Sequence, residues 1–214
     1  MHDTTRIPVF PLPIVAFPEE ELRLHIFEPR YKQLLADCEA SGIVFCILPV
    51  LEDVTQERGS LVRLEDIVKR YEDGRLDIKL KCLELCDVTQ FHQNTPNKLY
   101  ASVDIIERNS KSVRFPELQE EIIKLFTELC QINRAKPYHP ISWDVFNSFL
   151  IGHFVGFTLE EEYAFIMVNS EKERLTKLIA QIHKMIEHSL LRKNWLTRLN
   201  MNGEFRDFKI SNDK

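Results

Sequence analysis

Glycine is scarce in this chain: six in 214 residues, at positions 42, 59, 74, 152, 156 and 203, and none precedes a lysine. A GxxxxGK[ST] loop cradling nucleotide phosphates is therefore excluded. No GxSxG nucleophile elbow occurs either. Five cysteines, an odd number without a CxxC pair, argue against a disulfide framework and for a reducing compartment. The opening MHDTTRIPVF lacks a basic flank followed by a long apolar core, so no signal peptide is expected. The longest apolar run, Ile43 to Leu51, spans nine residues and is interrupted by Pro49, well short of the ~20 that cross a bilayer. An excess of positive charge is missing as well. The net charge is -5 and the pI near 5.8, without the basic footprint that phosphate contacts require. These absences leave a cytoplasmic globular protein, with neither nucleic acid nor membrane as an expected partner.

What the chain does have is enough apolar content for a packed core, 44%, and a concentration of proline near its start. Ile7 to Tyr31 reads IPVFPLPIVAFPEEELRLHIFEPRY. Proline fixes φ and lacks an amide donor, so Pro8, Pro11, Pro13 and Pro18 cannot all lie inside paired central strands. They are expected at strand starts, bends and edges. Leu22 to Phe27 reads as a strand, and Glu28-Pro29-Arg30-Tyr31 opens a helix with Pro29 in its first turn. Tyr31, Leu34, Leu35 and Cys38 recur at helical spacing, and Gly42 is the expected stop.

The ordered run of FPLP, FP and HIFEPRY followed by a short helix resembles the N-terminal substrate-recognition domain of Lon-type ATP-dependent proteases, most of all the members that occur as that domain alone. The likeness covers nearly the whole chain and is sharpest over the first 31 residues. It implies an α+β fold: an N-terminal PUA-like antiparallel β-barrel with one early helix, followed by a C-terminal four-helix bundle. Pro11, Pro13, Pro18, His25, Phe27, Glu28, Pro29, Arg30 and Tyr31 form the signature, in a structural role. The chain departs from the family pattern twice. Glu19-Glu20-Glu21 replaces a turn that usually contains glycine, and Cys82 and Cys86 stand where glycine and an aromatic are common.

The rest of the sequence agrees with that organisation. Ile43 to Val50 reads as a strand buried on both faces. Asp73-Gly74 between two β-like runs marks a hairpin pairing Ser60–Tyr71 with Leu76–Phe91. Leu76, Ile78 and Leu80 alternate with polar residues, but Leu83 and Leu85 fall on the opposite face, so a one-residue bulge is expected near Cys82. Leu99, Ala101, Val103 and Ile105 form a further alternating strand. Residues 1–108 are thus read as the barrel, 109–199 as the helical part and 200–214 as a polar tail. Helices are expected over Leu118–Leu129, over a segment capped by Ser142 and carrying Val145, Phe146, Phe149 and Leu150, after Thr158, and after Ser170. Pro137 and Pro140 separate the first two. Thr158 with Glu161 and Ser170 with Glu173 match the capping-box pattern. The last helix places Leu175, Leu178, Ile179, Ile182, Met185 and Ile186 on one stripe.

Few residues suggest chemistry. On an extended strand Cys82 and Cys86 lie about 13 Å apart, too far to share a zinc ion, and read as buried small hydrophobes. His183 and Glu187, four apart on a helix, lack a third ligand and read as a solvated face. His25 sits near Glu28 and Arg30, where one charge-assisted hydrogen bond would pin strand to helix. The acidic run Glu160–Glu162 suits the first turn of a helix. No catalytic residue, metal or cofactor is expected.

The leading functional expectation is a non-catalytic module that binds exposed apolar segments of unfolded or partly folded polypeptides, with Phe10, Leu12, Ile14 and Phe17 as candidate groove residues. The resemblance adds that such a chain, without the ATPase and Ser-Lys peptidase parts of a complete Lon protease, would recognise but not cut. An alternative is an adaptor docking on a separate protease or another partner through the helical part. Lys172 to Lys209 holds nine Lys or Arg against four Asp or Glu, and Lys172, Arg174 and Lys177 are the docking candidates. An enzyme of another kind ranks third.

Overall fold

The computed structural model describes residues 5–108, 113–135 and 146–203, the last seven of these as backbone only. Strand β1, Thr5–Leu12, buries Val9 and Phe10 and contains both Pro8 and Pro11. It tolerates them because it changes partners midway. Thr5 to Pro8 pair antiparallel with β7 (Ser102–Arg108), and Val9 to Leu12 pair parallel with β3 (Phe45–Leu51). Each half is thus bonded along one edge, where a missing amide donor costs little. The β1–β3 pair is the parallel one in a sheet whose other pairings among the described residues are antiparallel, as the sequence leads one to expect. A parallel pair needs a crossover, and here β2 (Glu21–Ile26) and helix α1 (Pro29–Ser41) lie in it.

Helix α1 begins at Pro29 and buries Tyr31, Leu34, Leu35 and Cys38, as their spacing predicts. Gly42 ends it in the left-handed region, φ 65°, with its N–H donating to the Cys38 carbonyl at 2.8 Å. The long hairpin joins β5 (Arg58–Arg70) to β6 (Leu76–His92) through Gly74, φ 77°. Two-residue β4, Val54–Thr55, pairs with the end of β3. The strands close into a ring in the order β1, β7, β6, β5, β3 and back to β1, with β2 added on β6.

β6 also divides its length between two neighbours. Leu76 to Lys81 pair with β2, and Leu85 to His92 pair with β7. The register against β5 slips between those stretches, since Ser60 faces Leu85 while Val62 faces Cys82. This is the bulge that the phase change at Leu83 and Leu85 predicts. Two apolar clusters result. Phe10, Ile26, Leu34, Phe45, Ile47 and Leu80 belong to one, and Val9, Cys46, Leu48, Cys86, Val103 and Ile105 to the other. Burying each such side chain stabilises by roughly 1.5–3 kcal/mol. Leu99 lies outside β7 and is exposed, so that strand starts later than its alternation suggested.

Beyond β7 come α2 (Pro116–Ile132), a 3-10 helix (Ser148–Phe154), α3 (Leu159–Ile166) and α4 (Glu171–Gly203). Pro137, Pro140 and the Ser142 cap lie outside the described residues, as does the tail from 204. The remainder of the helix expected after Ser142 is the 3-10 helix, opened by Asn147, whose side chain accepts from the Phe149 N–H at 2.9 Å. By its internal contacts the chain forms two compact units. One takes the described residues up to Arg114 together with Asn147–Arg174; the other takes those from Phe115 to Phe146 and from Leu175 onward. The chain therefore crosses between units three times, where the sequence suggested one boundary at 108. The 3-10 helix and α3 belong to the barrel unit rather than to a four-helix bundle. In the other unit α2 buries Ile122, Leu125, Phe126 and Leu129, and α4 buries Leu175, Leu178, Ile182 and Ile186.

Candidate binding cleft

In the barrel unit, the segment between β1 and β2 forms a tight turn, Phe17-Pro18-Glu19-Glu20. The Glu20 N–H donates to the Phe17 carbonyl at 3.2 Å, and Glu19 has φ 67°. Proline followed by a residue of positive φ is the arrangement of a type II turn. Glu19 thus occupies the position where glycine would be unstrained, which accounts for the glycine-containing turn implied by the resemblance. The turn is docked on β6: the Glu19 N–H donates to the Cys82 carbonyl at 3.2 Å, and the Cys82 N–H to the Glu20 carbonyl at 2.9 Å.

Phe17 points into an aromatic cluster with Phe149 and Phe165, centroids 5.7 and 5.8 Å away, and stacks on the His153 ring at 4.0 Å. Gly152 makes this possible, since a Cβ there would lie 2.3 Å from the Phe17 ring. His153 is held at both nitrogens, Nδ1 by Glu162 at 2.6 Å and Nε2 by Glu20 at 3.0 Å. Burial works to lower its pKa, but the two carboxylates outweigh it and raise the imidazole to about 9. At neutral pH His153 is therefore a cation clamped between the turn and α3. Glu20 also accepts from the Phe17 N–H at 2.9 Å, so one carboxylate serves turn and clamp together.

Two buried arginines fix the surrounding elements. Arg58 on β5 pairs with Asp87 at 2.6 Å and donates to the carbonyls of Ile166 and Met167 and to the Asn169 side chain, satisfying the C-terminal end of α3. Arg58 and Arg108 hold the Asp87 carboxyl below its ordinary range although burial opposes this. Arg174 pairs with Glu171 at 2.6 Å, and both reach Ser148 at the start of the 3-10 helix.

Between the turn and these helices lies a cleft of about 600 Å³. Ile14, Val15, Phe17 and Leu22 line it from the segment leading into β2, and Phe149, Leu150, Phe154 and Leu159 from the 3-10 helix and α3, with Phe17 and Phe149 buried. Leu150 and Phe154 remain 43% and 58% exposed. Its polar lining is acidic, with Glu19, Glu20, Glu21 and Glu162 alongside His153 and Asn147. Among the described residues no group of three or more His, Cys, Asp or Glu could hold a metal ion, and no helix is long and apolar enough to cross a membrane.

The model of the ATP-dependent protease La (LON) substrate-binding domain family matches residues 6–192. The chain belongs to that family. Among solved structures it is similar to a Lon N-terminal domain protein from Xanthomonas campestris, with 22% identity and a TM-score of 0.63 over 82% of this chain and 98% of that one. It is also similar to the N-terminal domain of Mycobacterium avium complex Lon protease, with 13% identity and a TM-score of 0.64 over 84% and 98% of the two chains. These likenesses show the Lon N-terminal fold. No curated protein matches.

Within this LON domain the four groove candidates separate. Ile14 and Phe17 line the cleft, whereas Phe10 stacks on Tyr31 at 3.7 Å inside the barrel and Leu12 packs against the same core. Pro13 and Pro18 also line it; Pro11 sits in β1 and Pro29 opens α1. His25 does not reach Glu28 or Arg30. It bonds Asp77 across the β2–β6 ladder at 2.6 Å, because residue 25 pairs with 77, and Arg30 and Glu28 pair with each other. Phe27 is exposed. Lys172 and Lys177 are exposed on α4, but Arg174 is buried in the Glu171 and Ser148 network and is not available for docking. Cys82 and Cys86 are both buried, and burial pushes the Cys82 thiol up to about 12. Leu150, His153, Phe154 and Glu162 were missed. Two of the six glycines, Gly152 and Gly156, lie within that stretch and were the available signal of close backbone approach.

Proposed function

We propose that the cleft receives exposed apolar segments of unfolded or partly folded polypeptides, which makes this chain a recognition module of the LON substrate-binding type. The observation that carries this reading is the pair Leu150 and Phe154, left exposed on the 3-10 helix and lining a cleft with buried Phe17 and Phe149. Contiguous exposed apolar surface lining a concavity is costly unless something covers it. A binding role also suits His153, whose two ring nitrogens are already occupied by Glu20 and Glu162 and cannot serve as a general base. Photo-crosslinking tests this. A benzophenone side chain at residue 150 or 154 labels a permanently unfolded polypeptide strongly, and one at exposed Glu72 does not; equal labelling from all three sites would sink the reading.

A second reading, docking on a separate protease or another partner through α4, is favoured by one observation. Leu191 and Trp195 are exposed one turn apart on that helix. Capture of one stoichiometric partner that is lost in Leu191→Asp/Trp195→Asp supports it.

A further inference from the structure

We propose that the cleft, if it is the polypeptide site as read above, selects apolar segments flanked by lysine or arginine over those flanked by aspartate or glutamate. Among the described residues its lining carries four carboxylates and neither lysine nor arginine. His153, the cation among these described residues, is held by Glu20 and Glu162. The other two carboxylates face solvent at the mouth, with the Glu19 and Glu21 side chains 69% and 54% exposed. Their present partners lie outside the lining. Lys81 stands 3.4 Å from Glu19, and Lys79 is shared between Glu21 at 2.8 Å and Glu65 at 3.2 Å.

Exposed pairs of this kind hold weakly, so an incoming ammonium or guanidinium can join or replace the lysine at little cost. An incoming carboxylate meets carboxylates on the turn and on α3. Apolar walls beside the charges strengthen both effects by keeping field lines out of water. The apolar lining thus selects for hydrophobic content, and the exposed carboxylates for the sign of the neighbouring charge.

Fluorescence anisotropy with three labelled peptides tests this, each having one apolar core flanked by Lys, Ser or Glu. The expected order of affinity is Lys, then Ser, then Glu, with about fivefold between neighbours at low salt and convergence at high salt. In Glu19→Lys/Glu21→Lys the order inverts. Equal binding of the three peptides, or an order unchanged in that variant, overturns the charge selection and leaves the apolar cleft standing. Binding of none of them overturns both.

Discussion

His153 is held at both ring nitrogens by carboxylates. Its pKa is raised from the ordinary 6.5 to about 9, so the stabilisation from its clamp is complete below 6.5 and is lost as the pH rises through 9. With the side chain 29% exposed, that contribution is discounted to about 1–2 kcal/mol. Urea unfolding near pH 6 and near pH 10 is expected to show the wild type losing this much more than His153→Gln; parallel losses would contradict the clamp. Gly152→Ala places a methyl within the Phe17 ring and is expected to cost about 1–3 kcal/mol. Glu19→Gly, by contrast, relieves a positive φ and is expected to stabilise by about 0.5–1 kcal/mol despite losing the contact with Lys81. Both follow from denaturant midpoints at constant slope.

At the scale of elements, what was legible was local. Thr158 and Glu161 mark the start of α3 because the whole capping box lies within four residues, and it forms with bonds of 2.9 and 3.2 Å. The β6 bulge could be read because a one-residue slip inverts the apolar phase within one strand. The 3-10 helix could not be foreseen, since its shape answers to Phe17, which is far away in sequence. Nor could the parallel β1–β3 pair, which depends on β1 changing neighbours. Arg58 is the extreme case: nothing near it in sequence announces that it will hold α3 from more than a hundred residues away. Arg58→Met leaves the Ile166 and Met167 carbonyls without their side-chain donor and Asp87 with Arg108 alone, and is expected to cost about 2–3 kcal/mol. Amide exchange then accelerates first in Leu159–Ile166, and a uniform acceleration across the barrel would contradict a local staple.

At the scale of the molecule, the family was readable from the run between Ile7 and Tyr31, while the cleft was not. Only part of its lining lies in that run. The rest comes from residues between Asn147 and Glu162, held there by Gly152, His153 and the Arg58 staple. A proline-rich signature fixes the scaffold, and the proposed recognition surface arises where a distant segment folds onto it. That central claim is tested most directly by the affinity of a reduced and alkylated, permanently unfolded polypeptide for the wild type and for Leu150→Asp/Phe154→Asp. Both side chains are exposed, so the double variant is expected to keep its unfolding midpoint and to bind at least about tenfold more weakly. Undiminished affinity in the folded variant would contradict the account.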